Sequence, residues 1–177
     1  MLTRISPILA WLPLCLALSS PPCCADLPPL VSEAIVDATP DQVWDVWTTK
    51  QGIQSWMVPQ ADIDLRVGGK MRTHYDPKGT LGDAQGIEHT ILAFDPKRMF
   101  AFKTVKCPET FPFKKAMEPV WNVVYMEAVD AQHTRVTVRC LGYGDDEESR
   151  KMRAFFAKGN AYTLELLKKL FAKRAGL

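Results

Sequence analysis

The alternation of hydrophobic and polar residues between positions 30 and 141 predicts seven β-strands. In residues 61–67, Ile63, Leu65 and Val67 alternate with charged side chains, which is typical of a strand buried on one face. Turn segments rich in Asp, Pro and Gly separate most of these patterns from one another. The predicted strands cover residues 30–37, 61–67, 70–75, 85–94, 99–106, 120–129 and 134–141.

Helical patterns follow the first strand and occupy the C-terminal end. Thr39, Pro40 and Gln42 have the spacing of a capping box with proline in the first turn, which predicts a helix over residues 40–49. A second short helix is expected around residues 53–56. Residues 146–173 predict a closing helix about 40 Å long, with an apolar face of Met152, Phe155, Phe156, Gly159, Thr163, Leu166 and Leu170.

The closing helix is longer than any predicted strand, so we expect it to lie across the sheet with its apolar face down. The order of elements therefore predicts an α+β fold of the helix-grip type. In this arrangement a curved antiparallel sheet of about seven strands surrounds a long C-terminal helix, and two short helices follow the first strand.

The chain resembles the START-like (SRPBCC) superfamily, in the branch of homologues of the activator of the heat shock protein 90 ATPase. The resemblance extends from about residue 30 to residue 173 and depends on short motifs. They are Ala38-Thr39-Pro40 with Val43-Trp44, Thr48-Thr49 before Trp56, residues 64–69, Arg98-Met99, residues 134–137, and Gly159. Such families include lipid carriers, cyclases, hormone receptors and co-chaperones, so the resemblance implies a fold and leaves the function open.

The first 25 residues have the composition of an export signal. Arg4 provides a positive charge, residues 8–18 are apolar, and Cys23-Cys24-Ala25 forms a small-residue cleavage site. The apolar run is too short for a spanning helix, which needs about 20 residues. We therefore expect residues 1–25 to be a signal peptide and residues 26–177 a single START-like domain, periplasmic or secreted. A lipid-anchored form is the alternative, although no cysteine follows the usual context for it.

Charge and cysteine content restrict the partners and the cross-links. The net charge is +2 with both signs interspersed, so nucleic acid is not an expected partner. Cys107 and Cys140 are the cysteines beyond the signal. A third strand separates the strands that carry them, which places them about 9 to 10 Å apart. A disulfide would require the loop at Cys107 to fold over the sheet.

An apolar pocket between the sheet and the closing helix is the predicted binding site. Its expected lining consists of inward-facing residues: Met71, Thr73, Tyr75, Val124, Met126, Val138, Phe156, Gly159 and Thr163. A glycine inside a helix costs about 1 kcal/mol relative to alanine, so a close approach to the sheet or room for a ligand should compensate at Gly159. The alternative is that these side chains pack a core without a ligand.

Two faces of the strand at residues 120–129 are apolar, so its orientation needs a separate criterion. Placing Val124 and Met126 inward keeps this strand in phase with the charged-out, apolar-in alternation of residues 134–141. A shift of one residue would reverse the assignment.

The histidines do not predict a metal site. If Tyr75 pairs with Gln85, His89 lies opposite Met71 and His74 falls on the other face of the sheet. The chain has no CxxC motif and no histidine pair at helical spacing, so we expect neither a metal nor another cofactor. It also has no Gly-x-Ser-x-Gly elbow. The best catalytic candidate is a polar cluster near the pocket rim, comprising Arg72, His74, Tyr75 and Glu88.

The leading functional prediction is an exported, monomeric and non-catalytic protein that binds a hydrophobic small molecule or lipid. An enzyme of the polyketide cyclase, dehydratase or hydrolase type would instead need a polar dyad inside the pocket. The family resemblance also implies a co-chaperone-like activator of an ATPase, which export disfavours because ATP is not expected outside the cytoplasm. The loop at residues 107–119, with Phe111 and Phe113, is either a lid or a segment tucked against the sheet edge.

Overall fold

The computed structural model describes residues 27–174 and Gly176, so the predicted signal peptide at residues 1–25 lies outside the described residues. These residues form seven strands and four helices. The strands are β1 (Leu30–Val36), β2 (Gln60–Ile63), β3 (Lys70–His74), β4 (Ile87–Asp95), β5 (Met99–Lys106), β6 (Trp121–Ala128) and β7 (Thr134–Leu141). The helices are α1 (Pro40–Thr48), α2 (Lys50–Gln54), α3 (Lys114–Met117) and α4 (Glu147–Arg174).

All seven strands belong to one antiparallel sheet with the order β1-β7-β6-β5-β4-β3-β2. Helix α4 packs mainly on β1, α1 contacts β6, and α2 contacts β2. The predicted α+β helix-grip architecture is therefore confirmed. The closing helix lies toward one edge of the sheet, and this position determines which strands it covers.

Local capping chemistry positions the first two helices. Thr39 Oγ1 accepts a hydrogen bond from the Gln42 N–H at 3.4 Å, and Gln42 Oε1 accepts one from the Thr39 N–H at 2.9 Å, which confirms the predicted capping box. Thr49 follows α1 directly and its Oγ1 accepts from the Gly52 N–H at 3.0 Å. This second cap starts α2 at Lys50, three residues before the predicted position.

Strand β2 is shorter than predicted because residues 64–69 form a turn. The Asp64 N–H donates to Lys70 O at 2.8 Å, and the Gly69 N–H donates to Arg66 O at 2.8 Å. Gly68 has a φ of +76°, a conformation that glycine adopts without steric cost. The apolar alternation in the sequence continues to Val67, but the turn ends the strand at Ile63 and leaves the Val67 side chain exposed.

The strand registers decide which side chains face inward. Met71 pairs with His89, as predicted, and His89 pairs with Thr104 on the next strand. Val124 pairs with Val138 and both are buried in the main core, which confirms the predicted orientation of β6.

The described residues bury two hydrophobic clusters. The main core lies between α1, α4 and the strands β1, β7, β6 and β5, and includes Phe100, Val136 and Leu167. A smaller cluster lies under α2 and includes Ile53, Val58, Ala61, Met71 and Ile91. Phe102 packs against both clusters without being fully buried itself. In this part of the chain no helix combines the length and hydrophobicity that a membrane span requires.

Candidate ligand-binding cleft

Several inward-facing side chains at the middle of the sheet keep contact with solvent. His89 pairs with Thr104, and Phe102 pairs with Asn122, so these four residues share the inward face across β4, β5 and β6. All four are half-buried, whereas Phe100 and Val124 on the same face are fully buried. An inward-facing residue that remains accessible indicates that the layer above it is incomplete.

Helix α4 explains this exposure. It buries Met152, Leu164, Leu167 and Phe171 toward the sheet and β1. At 3.6 residues per turn, Gly159, Thr163 and Leu166 lie on the same side of the helix as Met152, and all three are half-buried.

The opposite flank of α4 approaches β1, where Glu165, Lys168 and Ala172 line a shallow groove with Ile35 and Val36. Gly159 and Thr163 lie on the side of α4 away from this groove. We give the name central cleft to the region that comprises this side of the helix and the half-buried inward-facing residues of the sheet. Its residues are His89, Phe102, Thr104, Asn122, Gly159 and Thr163.

Gly159 has room for a side chain. A Cβ atom built on Gly159 would meet no atom of the described residues within 4 Å. This excludes a close approach to the sheet as the reason for glycine at this position and shows open space beside α4.

His89 occupies a niche in the floor of the central cleft. Its Nδ1 lies 3.0 Å from Thr104 Oγ1, and its ring meets the ring of Phe102 edge to face with centroids 5.0 Å apart. Desolvation by the surrounding protein lowers the pKa of His89 to about 4, although the Glu88 carboxylate opposes this shift. The imidazole is therefore neutral at neutral pH.

The loop at residues 107–119 crosses one end of the cleft. Its Phe111 and Phe113 rings contact Phe155 and Phe156 of α4, with centroid distances of 6.1 to 6.2 Å. On the other side, the Glu109 N–H donates to Ala84 O at 3.0 Å, which joins this loop to the loop between β3 and β4. The phenylalanines pack on the closing helix and against the main core.

The predicted lining residues fall into three groups. Met71, Thr73, Val124, Met126 and Val138 face inward and are buried, while Phe156, Gly159 and Thr163 are half-buried along α4. Tyr75 lies beyond the end of β3 and is 67% exposed, because the strand ends at His74 and the inward–outward alternation ends with it. Phe155 was expected on the apolar face of α4 and is 54% exposed.

Four cleft residues were missing from the predicted lining, namely His89, Phe102, Thr104 and Asn122. The signal for His89 was present, because the predicted pairing with Met71 already placed it inward. The signal for Phe102 and Asn122 was absent, since it depends on how far α4 extends over the sheet.

The rim cluster proposed from the sequence does not assemble into a catalytic arrangement. Arg72 Nε donates to Glu88 Oε2 at 3.1 Å and Lys70 Nζ donates to Glu88 Oε1 at 2.6 Å, on the face opposite to Met71 and His89. The hydrogen bond from Lys70 is the main reason that the pKa of Glu88 is lowered. Together these contacts form a surface ion-pair network.

His74 is engaged through both ring nitrogens. Nδ1 lies 3.0 Å from Asp76 N and 3.1 Å from Asp76 O, and Nε2 lies 3.2 Å from Asp83 Oδ1. With neither nitrogen free, His74 holds the loop between β3 and β4 in place.

The two best-formed surface grooves of the described residues lie outside the central cleft. The best-formed surface groove, about 520 Å³, is open and lined mainly by charged residues of the α4 N-terminus with Pro112 and Phe113. Within the described ranges no three metal-ligating side chains come together. Cys107 and Cys140 are both free thiols.

The fold and the cleft define an SRPBCC protein of the helix-grip type, a fold that binds small ligands in a pocket. The model of the family described as Activator of Hsp90 ATPase homolog 1-like protein matches residues 37–172. The chain therefore belongs to this family. No sequence among the curated proteins matches it.

Solved structures show the same fold. Protein MLL2253 from Mesorhizobium loti is 16% identical with a TM-score of 0.64, over 82% of this chain and 98% of that one. The Aha1 protein from Colwellia psychrerythraea, solved as a dimer, is 16% identical with a TM-score of 0.62, over 82% and 96% of the two chains. NE0264 from Nitrosomonas europaea is 16% identical with a TM-score of 0.61, over 84% and 97%. At this identity the likeness concerns the fold alone.

Proposed function

We propose that the protein binds a hydrophobic small molecule or lipid in the central cleft and does not chemically transform it. The observation that carries the proposal is the half-buried state of inward-facing residues in the middle of the sheet, next to fully buried neighbours on the same face. An apolar ligand would cover this surface.

The energetics favour an apolar occupant. Fully burying an exposed Phe side chain contributes about 1.5 to 3 kcal/mol. Phe102 and Phe156 are only half-buried, so a ligand that covers their remaining surface would gain part of this free energy. Gly159 costs helix stability of about 1 kcal/mol relative to alanine. The glycine leaves space beside α4, because a longer side chain at this position would extend into the cleft.

Substitution of Gly159 tests the proposal. We expect Gly159→Leu to remain folded and to weaken binding of an apolar fluorescent probe by about tenfold or more, because leucine fills space that the ligand needs. Ala161→Leu is the matched control, since Ala161 is exposed on another side of α4. Unchanged probe binding in folded Gly159→Leu, or no binding by the wild type, would refute the proposal.

We propose further that the protein is exported after removal of residues 1–25. In support, Arg4, the apolar residues 8–18 and Cys23-Cys24-Ala25 have the pattern of an export signal, and the Leu27 N–H, two residues beyond the predicted cleavage site, donates to Tyr143 O at 2.8 Å. N-terminal sequencing of protein from its natural source should give Asp26 as the first residue. A soluble cytoplasmic protein that begins at Met1 would contradict export.

An enzyme is the second candidate, and the His89–Thr104 pair favours it. A neutral imidazole 3.0 Å from a hydroxyl is the geometry of a base beside a nucleophile. A third group that orients the imidazole through Nε2 is lacking among the described residues, which is why binding is preferred. Hydrolysis of p-nitrophenyl acetate that disappears in Thr104→Val would establish the enzyme instead.

A further inference from the structure

We propose that the ligand of the central cleft carries a hydroxyl group, which forms a hydrogen bond with Nε2 of His89. This inference rests on the proposed binding function and specifies the chemical class of the ligand. Among the described residues of the cleft floor, His89 is the one with a titratable side chain, and it faces inward.

His89 is half satisfied. Nδ1 forms a hydrogen bond with Thr104 Oγ1 at 3.0 Å, and the Phe102 ring contacts the imidazole edge to face. In the described part of the chain Nε2 has no hydrogen-bond partner. The side chain is half-buried, so a ligand in the cleft would remove it from water. Burial of a polar atom that loses water without gaining a partner is unfavourable, so a ligand that supplies the partner is favoured.

The surroundings favour an uncharged group. The neighbours that face inward with His89 are Met71, Thr73, Thr104 and Asn122, all neutral. The charged neighbours Lys70, Arg72 and Glu88 face the other side of the sheet and pair with one another. Arg153 of α4 donates to the backbone oxygens of Pro28 and Pro29 and lies near Cys140, and its Nε is buried without a hydrogen-bond partner among the described residues. None of the inward-facing sheet neighbours of His89 carries a charge, so a charged group placed directly at His89 Nε2 would lack a counter-charge from these neighbours, which is energetically costly.

A hydroxyl fits better than a ketone. If Thr104 donates to Nδ1, Nε2 carries the proton and donates to the ligand; if Nδ1 donates to Thr104, Nε2 accepts from the ligand. A hydroxyl serves as acceptor in the first case and as donor in the second. A ketone serves only in the first.

Three probes of one shape test the inference at pH 7: naphthalene, 2-naphthol and 2-naphthoate. We expect the wild type to bind 2-naphthol about fivefold tighter than naphthalene, as one neutral hydrogen bond predicts. It should bind 2-naphthoate at least about tenfold more weakly than 2-naphthol. In His89→Phe, which keeps the ring volume, the preference for 2-naphthol over naphthalene should disappear while naphthalene still binds.

The outcomes separate the two proposals. Equal binding of naphthalene and 2-naphthol by the wild type refutes the hydroxyl inference and leaves the proposed binding function intact. If the wild type binds neither probe, both the hydroxyl inference and the proposed binding function are refuted. A preference that survives in His89→Phe also overturns the inference.

If His89→Phe does not fold, NMR of the ¹⁵N-labelled wild type decides the question. Binding of 2-naphthol should shift the His89 Nε2 resonance, and binding of naphthalene should leave it nearly unchanged. Equal shifts with both probes would overturn the inference.

Discussion

Phe100 and Phe102 lie two residues apart on β5, face the same side of the sheet and stack with centroids 5.4 Å apart, yet their surroundings differ. Phe100 is fully buried against Trp44 and Trp47 of α1, in the half of the sheet that the helices cover. Phe102 is half-buried beside His89, in the half that α4 leaves open. The difference shows that helix placement, and not strand composition, divides the sheet into a stabilising half and a cleft.

The same contrast extends across the strands. Val36 on β1, Val136 on β7 and Val124 on β6 face inward and are almost completely buried in the main core, to which both α1 and α4 contribute. On β4 and β5, His89 and Thr104 remain partly accessible. Ile91 on β4 and Phe100 on β5 are fully buried, so the accessible residues occupy only part of these strands, and a ligand can complete the layer there.

The largest expected effect distinguishes the two phenylalanines. Phe100→Ala should lower the free energy of unfolding by about 3 to 5 kcal/mol, because it opens a cavity in the covered half. Phe102→Ala should cost less than about 2 kcal/mol and should weaken binding of an apolar probe. Urea unfolding monitored by tryptophan fluorescence measures both changes. Equal costs for the two variants would break the comparison.

A smaller effect follows from the pKa of His89. The unfolded chain takes up a proton as the pH falls through about 6.5, while the folded protein resists protonation until about 4. Stability should therefore fall as the pH decreases between these values, by up to about 3 kcal/mol in the absence of screening. Because solvent partly reaches His89, we expect about 1 to 2 kcal/mol.

The matching measurement compares urea unfolding of the wild type and of His89→Phe at pH 7 and at pH 4.5. The variant should lose less stability between the two pH values than the wild type does. If the wild type and His89→Phe lose the same free energy of unfolding between the two pH values, His89 is hydrated like a surface histidine. That result would contradict the placement of His89 in a desolvated niche.

The sequence predicted the elements and the sheet well because their signals are local. The Thr39–Gln42 capping box, the Met71–His89 register and the inward face of Val124 all follow from spacing. The predictions were wrong where turn chemistry outweighed alternation, as at the end of β2 and at Tyr75. The floor of the cleft depends on the tertiary position of α4, which the periodicity of the helix alone does not determine.

The smallest expected effect concerns the glycines of two helices. Gly159→Ala should raise the free energy of unfolding by about 0.5 to 1 kcal/mol, since a Cβ there meets no atom of the described residues within 4 Å and alanine favours the helix. Gly52→Ala in α2 is the contrasting variant, because its Cβ would lie 2.2 Å from Asp45 O, and it should destabilise the protein. If Gly159→Ala were also destabilising, the space beside α4 would not exist.

Mapping a bound probe on the wild-type protein tests the division of the sheet most directly. Naphthalene added to ¹⁵N-labelled protein should shift the backbone amide resonances of His89, Phe102, Thr104 and Gly159. The amides of Val36 and Val136 should remain unchanged, because both side chains are buried in the main core. Shifts confined to β1, or to the groove formed by Pro112, Phe113 and the first turn of α4, would contradict the account.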